Sequence, residues 1–294
     1  MTYQTAISTP AHSRLLLPLS FIILWSSGYI GGAIGLHYAE PFTMTFLRFG
    51  TAGILLLIIA LAMGAPWPES WTKVGHIAVV GFFMQATQFG GLYSGMNNGV
   101  SAGVSALIVG MMPIFTAIGA GWLLREKVSW PQWCGLLLGL GGLAIVVSPR
   151  ITAGGDMAGY LLVGVALFGI TAGTLYQKKF CGGMDLRTGG FIQMMVGSTV
   201  MLILATQTET MQIRWTGEFV ASVGWLALMN SIGAISLLYV MIHRGEATRV
   251  ASLFYLIPPV TAVMASVMLA ELPNLYTVVG LSLAACGVYL SNQK

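Results

Sequence analysis

Charge is scarce in this chain and falls almost entirely between long apolar runs, a pattern that no water-soluble core produces. Only 7% of its residues are charged and the mean hydropathy is +0.82, both far from soluble averages. A window of about 19 residues finds ten runs of membrane length. They span Leu15–Gly35, Phe42–Met63, Val74–Met96, Ser101–Leu124, Trp130–Ser148, Met157–Tyr176, Thr188–Thr206, Phe219–Met241, Ala247–Ala270 and Asn274–Leu290. The expected fold is all-α and integral to the membrane, with ten transmembrane helices and no room for a soluble domain.

The basic residues orient those spans. The N-terminal tail, the even-numbered loops and the C-terminus carry Arg14, Lys73, Arg125, Lys127, Lys178, Lys179, Arg187, Arg244, Arg249 and Lys294; the odd-numbered loops carry only Arg150 and Arg214. By the positive-inside rule both termini are expected in the cytoplasm. The sequence pI of about 9.0 therefore reflects loop charge rather than a nucleic-acid surface. Cys134, Cys181 and Cys286 have no metal-ligand spacing and are expected as free thiols. The first apolar run is of full membrane length and reads as a retained helix rather than a cleaved signal.

The chain also repeats itself. At an offset of 146 residues Tyr93 meets Tyr239, Gly99 meets Gly245, Val104 meets Val250, Leu107 meets Leu253 and Pro113 meets Pro259; one deletion later Glu126 meets Glu271, Gly135 meets Gly280 and Gly142 meets Gly287. The expected organisation is a tail over 1–14, one five-helix repeat over 15–150, a linker over 151–156 and a second repeat over 157–292. Five is odd, so the second copy must enter the membrane upside down. Such inverted repeats can pack in two near-equivalent ways, one open to each side, which is the physical basis of alternating access. A larger bundle with no such motion, or a channel, could be built from the same duplication.

Several stretches resemble the ten-helix branch of the drug/metabolite transporter superfamily, the EamA family. They are Trp25-Ser26-Ser27-Gly28, Phe46-Leu47-Arg48-Phe49, Met112-Pro113-Ile114-Phe115, Leu123-Leu124-Arg125-Glu126-Lys127-Val128-Ser129 and Gln132-Trp133-Cys134-Gly135. The second half answers with Ile257-Pro258-Pro259-Val260, Ala270-Glu271-Leu272 and Gly280. The length and the Gln-bearing third helix look most like YddG-type amino-acid exporters. The resemblance implies a multi-pass protein of the bacterial cytoplasmic membrane with a central cavity, spans five and ten at the periphery, and export of small amphiphilic metabolites. Amino acids, aromatic ones included, head that expectation. Sugars, nucleosides and organic acids are the alternatives. The expected partners are that small-molecule substrate and the lipid bilayer, with no nucleic acid and no cofactor; monomer and homodimer both stay open.

Ionisable groups at membrane depth are functional candidates. All nine carboxylates and all four histidines fall in loops or at span ends, which leaves no mid-membrane proton carrier and argues against an intramembrane hydrolase. Arg48 is the embedded charge, roughly 9 Å inside the second span at 1.5 Å per residue. It could hold a substrate carboxylate, or it could snorkel outward or satisfy helix-end carbonyls. Gln85 and Gln88, three apart and so expected on one face, join Tyr93, Asn230 and Tyr239 as polar cavity candidates or as interhelical locks.

Ser252 and Tyr255 share a polar stripe with Thr248, opposite the apolar Ala102, Ala106 and Val109 of the other repeat. Trp25, Tyr29, Phe168 and Tyr176 are expected to give the cavity aromatic walls, and Gln193 is a further polar candidate. Pro113 and Pro259, at equivalent points, are expected to act as paired hinges. Glu126 and Glu271 each precede a helix, where a carboxylate complements its positive N-terminus. The glycines at 135, 139 and 142, and at 280 and 287, are expected to let helices pack closely.

Overall fold

The computed structural model describes residues 11–123, 130–152, 157–234, 236–237 and 256–291, and among these every element is helical. Helix α1 spans Ala11–Leu36 and so begins inside the expected tail; α2 spans Pro41–Ala62. A continuous rod over 71–97 consists of α3 (Trp71–Gly81), a π-helical stretch (Phe82–Thr87) and α4 (Gln88–Asn97). Then come α5 (Ala102–Val109), α6 (Met112–Leu123), α7 (Trp130–Thr152), α8 (Ala158–Phe180) and α9 (Leu186–Thr208). Helix α10 (Gly217–Trp225) runs into a second π-helical stretch (Leu226–Ala234), and α11 (Ile257–Met268) and α12 (Leu275–Ser291) follow. Among the described residues four stretches, Leu16–Leu36, Pro41–Ala62, Ala158–Phe180 and Leu186–Thr208, are long and apolar enough to cross a bilayer.

Local chemistry sets the helix starts. Side chains of Ser70, Ser101, Asp185 and Thr216 accept from backbone N–H groups of the first turns of α3, α5, α9 and α10, and Asn274 Oδ1 accepts from Thr277 N at α12. Pro41 opens α2, where its missing N–H costs nothing. The fourth expected span is not one helix. It breaks at Gly110–Met111 between α5 and α6, and Pro113 sits at the second position of α6. At that break a Cβ on Gly110 would stand 2.8 Å from Pro258 Cγ, so the end of α5 meets the start of α11 at Pro258.

The π-helical stretches stand at equivalent places. Adding the repeat offset of 146 to Phe82–Thr87 gives 228–233, inside Leu226–Ala234. No local residue type announces either one. Helix α7 packs chiefly on α12. A Cβ on Gly142 would lie 2.6 Å from the Gly280 carbonyl oxygen, and one on Gly287 would lie 2.5 Å from that of Gly135. Any side chain there would force the backbones apart, so the glycine motifs serve packing within the chain. The contacts also exchange: Gly142 meets the counterpart of Gly135, and Gly135 meets the counterpart of Gly142.

One end of the bundle is tied by carboxylates. Glu209, just past α9, accepts from Phe42 N at 2.7 Å and Thr43 N at 2.8 Å at the start of α2, and Glu40 accepts from Thr210 N at 2.8 Å. Tyr38 donates to Glu218, and Arg214 donates to the His37 carbonyl while lying over the Tyr38 ring. Glu271 accepts from Ala102 N at 3.2 Å. It therefore complements the N-terminus of α5, not that of α12 which follows it, because Asn274 already fills the latter place. Burial pushes the Glu271 carboxyl above its usual range, against the opposing pull of the Ala102 N–H. Glu126 lies outside the described residues.

Candidate functional site

Arg48 stands on the second turn of α2 and is 1% exposed. It neither snorkels nor reaches a helix end. Its Nε donates to Ser231 Oγ at 3.1 Å, Nη1 to Tyr93 Oη at 2.6 Å and Nη2 to Asn230 Oδ1 at 2.6 Å. The guanidinium carbon also lies 4.3 Å from the Phe89 ring centroid and 5.2 Å from that of Phe49, within cation–π range. Tyr93 passes its own proton toward Gly28 O at 3.3 Å, and Asn230 Nδ2 donates to Leu24 O at 3.1 Å. One buried cation thus joins α1, α2, α4 and the π-helical stretch after α10.

Small residues on α1 make that junction possible. A Cβ on Gly28 would overlap the Asn230 amide, and one on Gly32 would overlap the Tyr93 ring. Next to the junction, Trp225 Nε1 donates to Ser27 Oγ at 2.8 Å and Ser222 Oγ donates to Gly31 O at 2.6 Å. These contacts close α1 against α10 along this part of their length.

The other sequence candidates divide. Tyr29 is buried in the same apolar core as Tyr93 and Phe21. Trp25 is half-buried and tilted against Phe21, with ring centroids 5.4 Å apart. Gln85 and Gln88 are both buried. A Cβ at Gly197 of α9 would touch the Gln85 side chain, whereas the Gln88 backbone meets Gly169 of α8. The intervening π turn winds the chain differently from the 3.6 residues per turn assumed in pairing them. Gln193 lies where α9 meets α3, its backbone against Gly81 and its amide beside Met184 Sδ at 3.7 Å.

Two aromatics are elsewhere. Phe168 is 61% exposed on a stripe with Leu161 and Val165, a surface suited to lipid rather than to a cavity wall. Tyr176 bonds His76 Nδ1 at 2.8 Å and packs on Phe180, away from Arg48. Tyr239, Ser252 and Tyr255 lie outside the described residues, as does Thr248. A hollow of about 320 Å³ lies between Gly99–Val104, Tyr160 and the Glu271–Asn274 loop, at the carboxylate-tied end. Among the described residues no His, Cys, Asp and Glu cluster could hold a metal.

The family model for EamA-like transporters matches twice, over residues 13–148 and 157–293. The chain belongs to the EamA-like transporter family. Among relatives of this EamA chain, an uncharacterized transporter YvbV of Bacillus subtilis is 27% identical over 96% of this chain and 92% of its own length. The uncharacterized inner membrane transporter YedA of Escherichia coli is 27% identical over 85% and 82%. A WAT1-related chloroplastic protein of Arabidopsis thaliana is 23% identical over 93% and 68%. A solved crystal structure shares the fold with a TM-score of 0.66 at 16% identity, covering 95% of this chain and 97% of that one. The EamA chain is thus a multi-pass membrane transporter and not an enzyme.

Of the residues at this junction, Arg48, Tyr93 and Asn230 were candidates in the sequence, whereas Ser231 and Phe49 were not. Phe49 stood in the quoted Phe46–Phe49 stretch, and Ser231 adjoined Asn230. The signal for Ser231 was its equivalence to Gln85 at the 146-residue offset.

Proposed function

We propose that this transporter works by alternating access, with ten spans arranged as two inverted five-helix repeats around a central site. It exports small amphiphilic metabolites, amino acids including aromatic ones first, from a cytoplasm in which both termini lie. The membrane is the bacterial inner membrane and the likeness to YddG-type exporters is the guide to cargo. The observation that carries the reading is the pair of π-helical stretches at equivalent positions, one presenting Gln85 toward α9 and the other presenting Asn230 and Ser231 to Arg48 of α2. π turns inside longer helices recur at functional sites. The exchanged glycine contacts of α7 and α12 and the twofold match of the family model support the same organisation.

The two halves differ in chemistry. At the repeat offset Arg48 corresponds to Met194, so one half carries a cation and the other an apolar thioether. Such asymmetry suits a cargo with one charged end and one apolar end. The test is counterflow in proteoliposomes, with labelled phenylalanine inside and an excess of unlabelled phenylalanine outside. Saturable loss accelerated by the outside amino acid is the expected result. Loss no faster than from protein-free vesicles would reject this cargo, and linear, unsaturable loss would favour a channel.

A further inference from the structure

Two arginines of this chain use the same edge of the guanidinium on different partners. On Arg187, Nε and Nη2 donate to the two carboxylate oxygens of Asp185 at 3.1 and 2.7 Å. On Arg48, Nε and Nη2 donate to Ser231 Oγ and Asn230 Oδ1 at 3.1 and 2.6 Å. Consecutive residues of the π stretch thus place two neutral oxygens where a carboxylate's pair belongs. They satisfy the donors but bring no charge.

Among the described residues no carboxylate compensates that charge. The described carboxylates are Glu40, Glu209, Glu218 and Glu271 at the tied end, and Glu69 and Asp185 with their own partners Lys73 and Arg187. Phe89 and Phe49 pack against the guanidinium, and Tyr93 holds Nη1. The edge facing Ser231 and Asn230 is therefore the one a ligand can take over without dismantling the rest. A bidentate carboxylate there gains charge assistance that neutral oxygens lack.

We propose that Ser231 and Asn230 are stand-in ligands, and that the carboxylate of the transported molecule replaces them on Arg48 when α10 and its π stretch withdraw from α2. The assignment rests on the transport reading above and narrows it. The cargo is a small organic acid or amino acid whose carboxylate is required, while neutral sugars, nucleosides and amines without a carboxylate are rejected. Cargo and helix compete for one edge, so binding favours the conformation in which α10 has moved.

The experiment compares phenylalanine, 3-phenylpropionate and phenylalaninamide in proteoliposomes of the full chain. Wild type is expected to prefer both acids over the amide by about tenfold or more, the factor that a hydrogen bond to a charged group contributes. Arg48→Gln should bring that ratio close to one, and Arg48→Lys, which keeps charge without the fork, should leave an intermediate preference. Ser231→Ala removes a competitor and should lower the half-saturating phenylalanine concentration, which a purely structural serine would not do. A wild-type protein that carries the amide as well as the acids, or an Arg48→Gln variant that keeps the preference, overturns the anchor and leaves the transport reading standing.

If none of the three crosses, the aromatic-cargo reading fails by itself. The melting temperature of the purified protein with acetate, lactate, glutamate and benzoate then decides. Stabilisation that Arg48→Gln or Arg48→Lys loses supports the anchor. No stabilisation, or equal stabilisation of both variants, overturns it.

Discussion

Arg187 and Arg48 make the same two-pronged contact in opposite surroundings. Arg187 lies at the start of α9, partly open to water, where Asp185 both caps the helix and neutralises the cation. Arg48 lies inside the bundle, where three neutral oxygens and two rings hold it. At the rim the pair has a permanent counterion and nothing to release. In the interior a permanent carboxylate would hold α2 and the π stretch together in every conformation. Neutral ligands bind the cation well enough to order the junction and weakly enough to be exchanged.

The comparison is broken most severely by deleting each arginine. Arg48→Ala removes three hydrogen bonds to a charged group and leaves Tyr93 and Asn230 without their partner. It should destabilise the protein by more than about 3 kcal/mol, seen as a large fall in melting temperature in detergent. Arg187→Ala should change that temperature little, because a solvated pair contributes little. Equal losses would mean that the buried junction has no special weight.

Asn230→Asp makes the interior resemble the rim. It puts a real carboxylate on Nη2 while giving up the donation to Leu24 O. Transport should fall about tenfold or more, with the protein still eluting as a single folded species, since the exchange step costs a charge-assisted bond. Undiminished transport would separate the junction from the transport cycle. Tyr93→Phe is milder. It removes one bond to Nη1 and should cost about 1–2 kcal/mol of stability, measured by the same melting curve, while the preference for acids persists.

The smallest effect is at the rim and depends on pH. Arg187 holds the Asp185 carboxyl below the usual carboxylate range, chiefly by its side-chain hydrogen bond. A depressed carboxyl stabilises the fold above its unfolded pKa of roughly 3.9, and that contribution is lost as pH falls through the lower folded value. Asp185→Asn keeps a capping oxygen. It should leave melting between about pH 6 and 8 almost unchanged and flatten the slight acid-side loss below about pH 4.

Apolar runs were legible because they depend on neighbours in sequence. Arg48 announced itself as a charge where lipid excludes one. Ser231 did not, since a serine in an apolar helix bonds its own preceding turn as readily as a distant cation. The π stretches were invisible for a related reason: their winding is stabilised by packing, and Phe82–Thr87 has no composition peculiar to it. That hidden turn includes Gln85 and ends just before Gln88, so the α-helical spacing that placed the two on one face does not carry over unchanged. Glu271 shows the same limit, because its nearest helix start in sequence was already capped and the tertiary fold gave it α5 instead.

The glycine seam between α7 and α12 sets an order on how the protein is made. Gly142 leaves the ribosome roughly 140 residues before Gly280. At ~5–20 residues per second that is about 7 to 28 seconds of synthesis. Through that interval α7 stands without the helix that covers its glycine face. Each half ends in a helix whose partner belongs to the other half, so the first half cannot finish alone, and release of a chain truncated before α12 would hand the cell's quality control an unmatched seam.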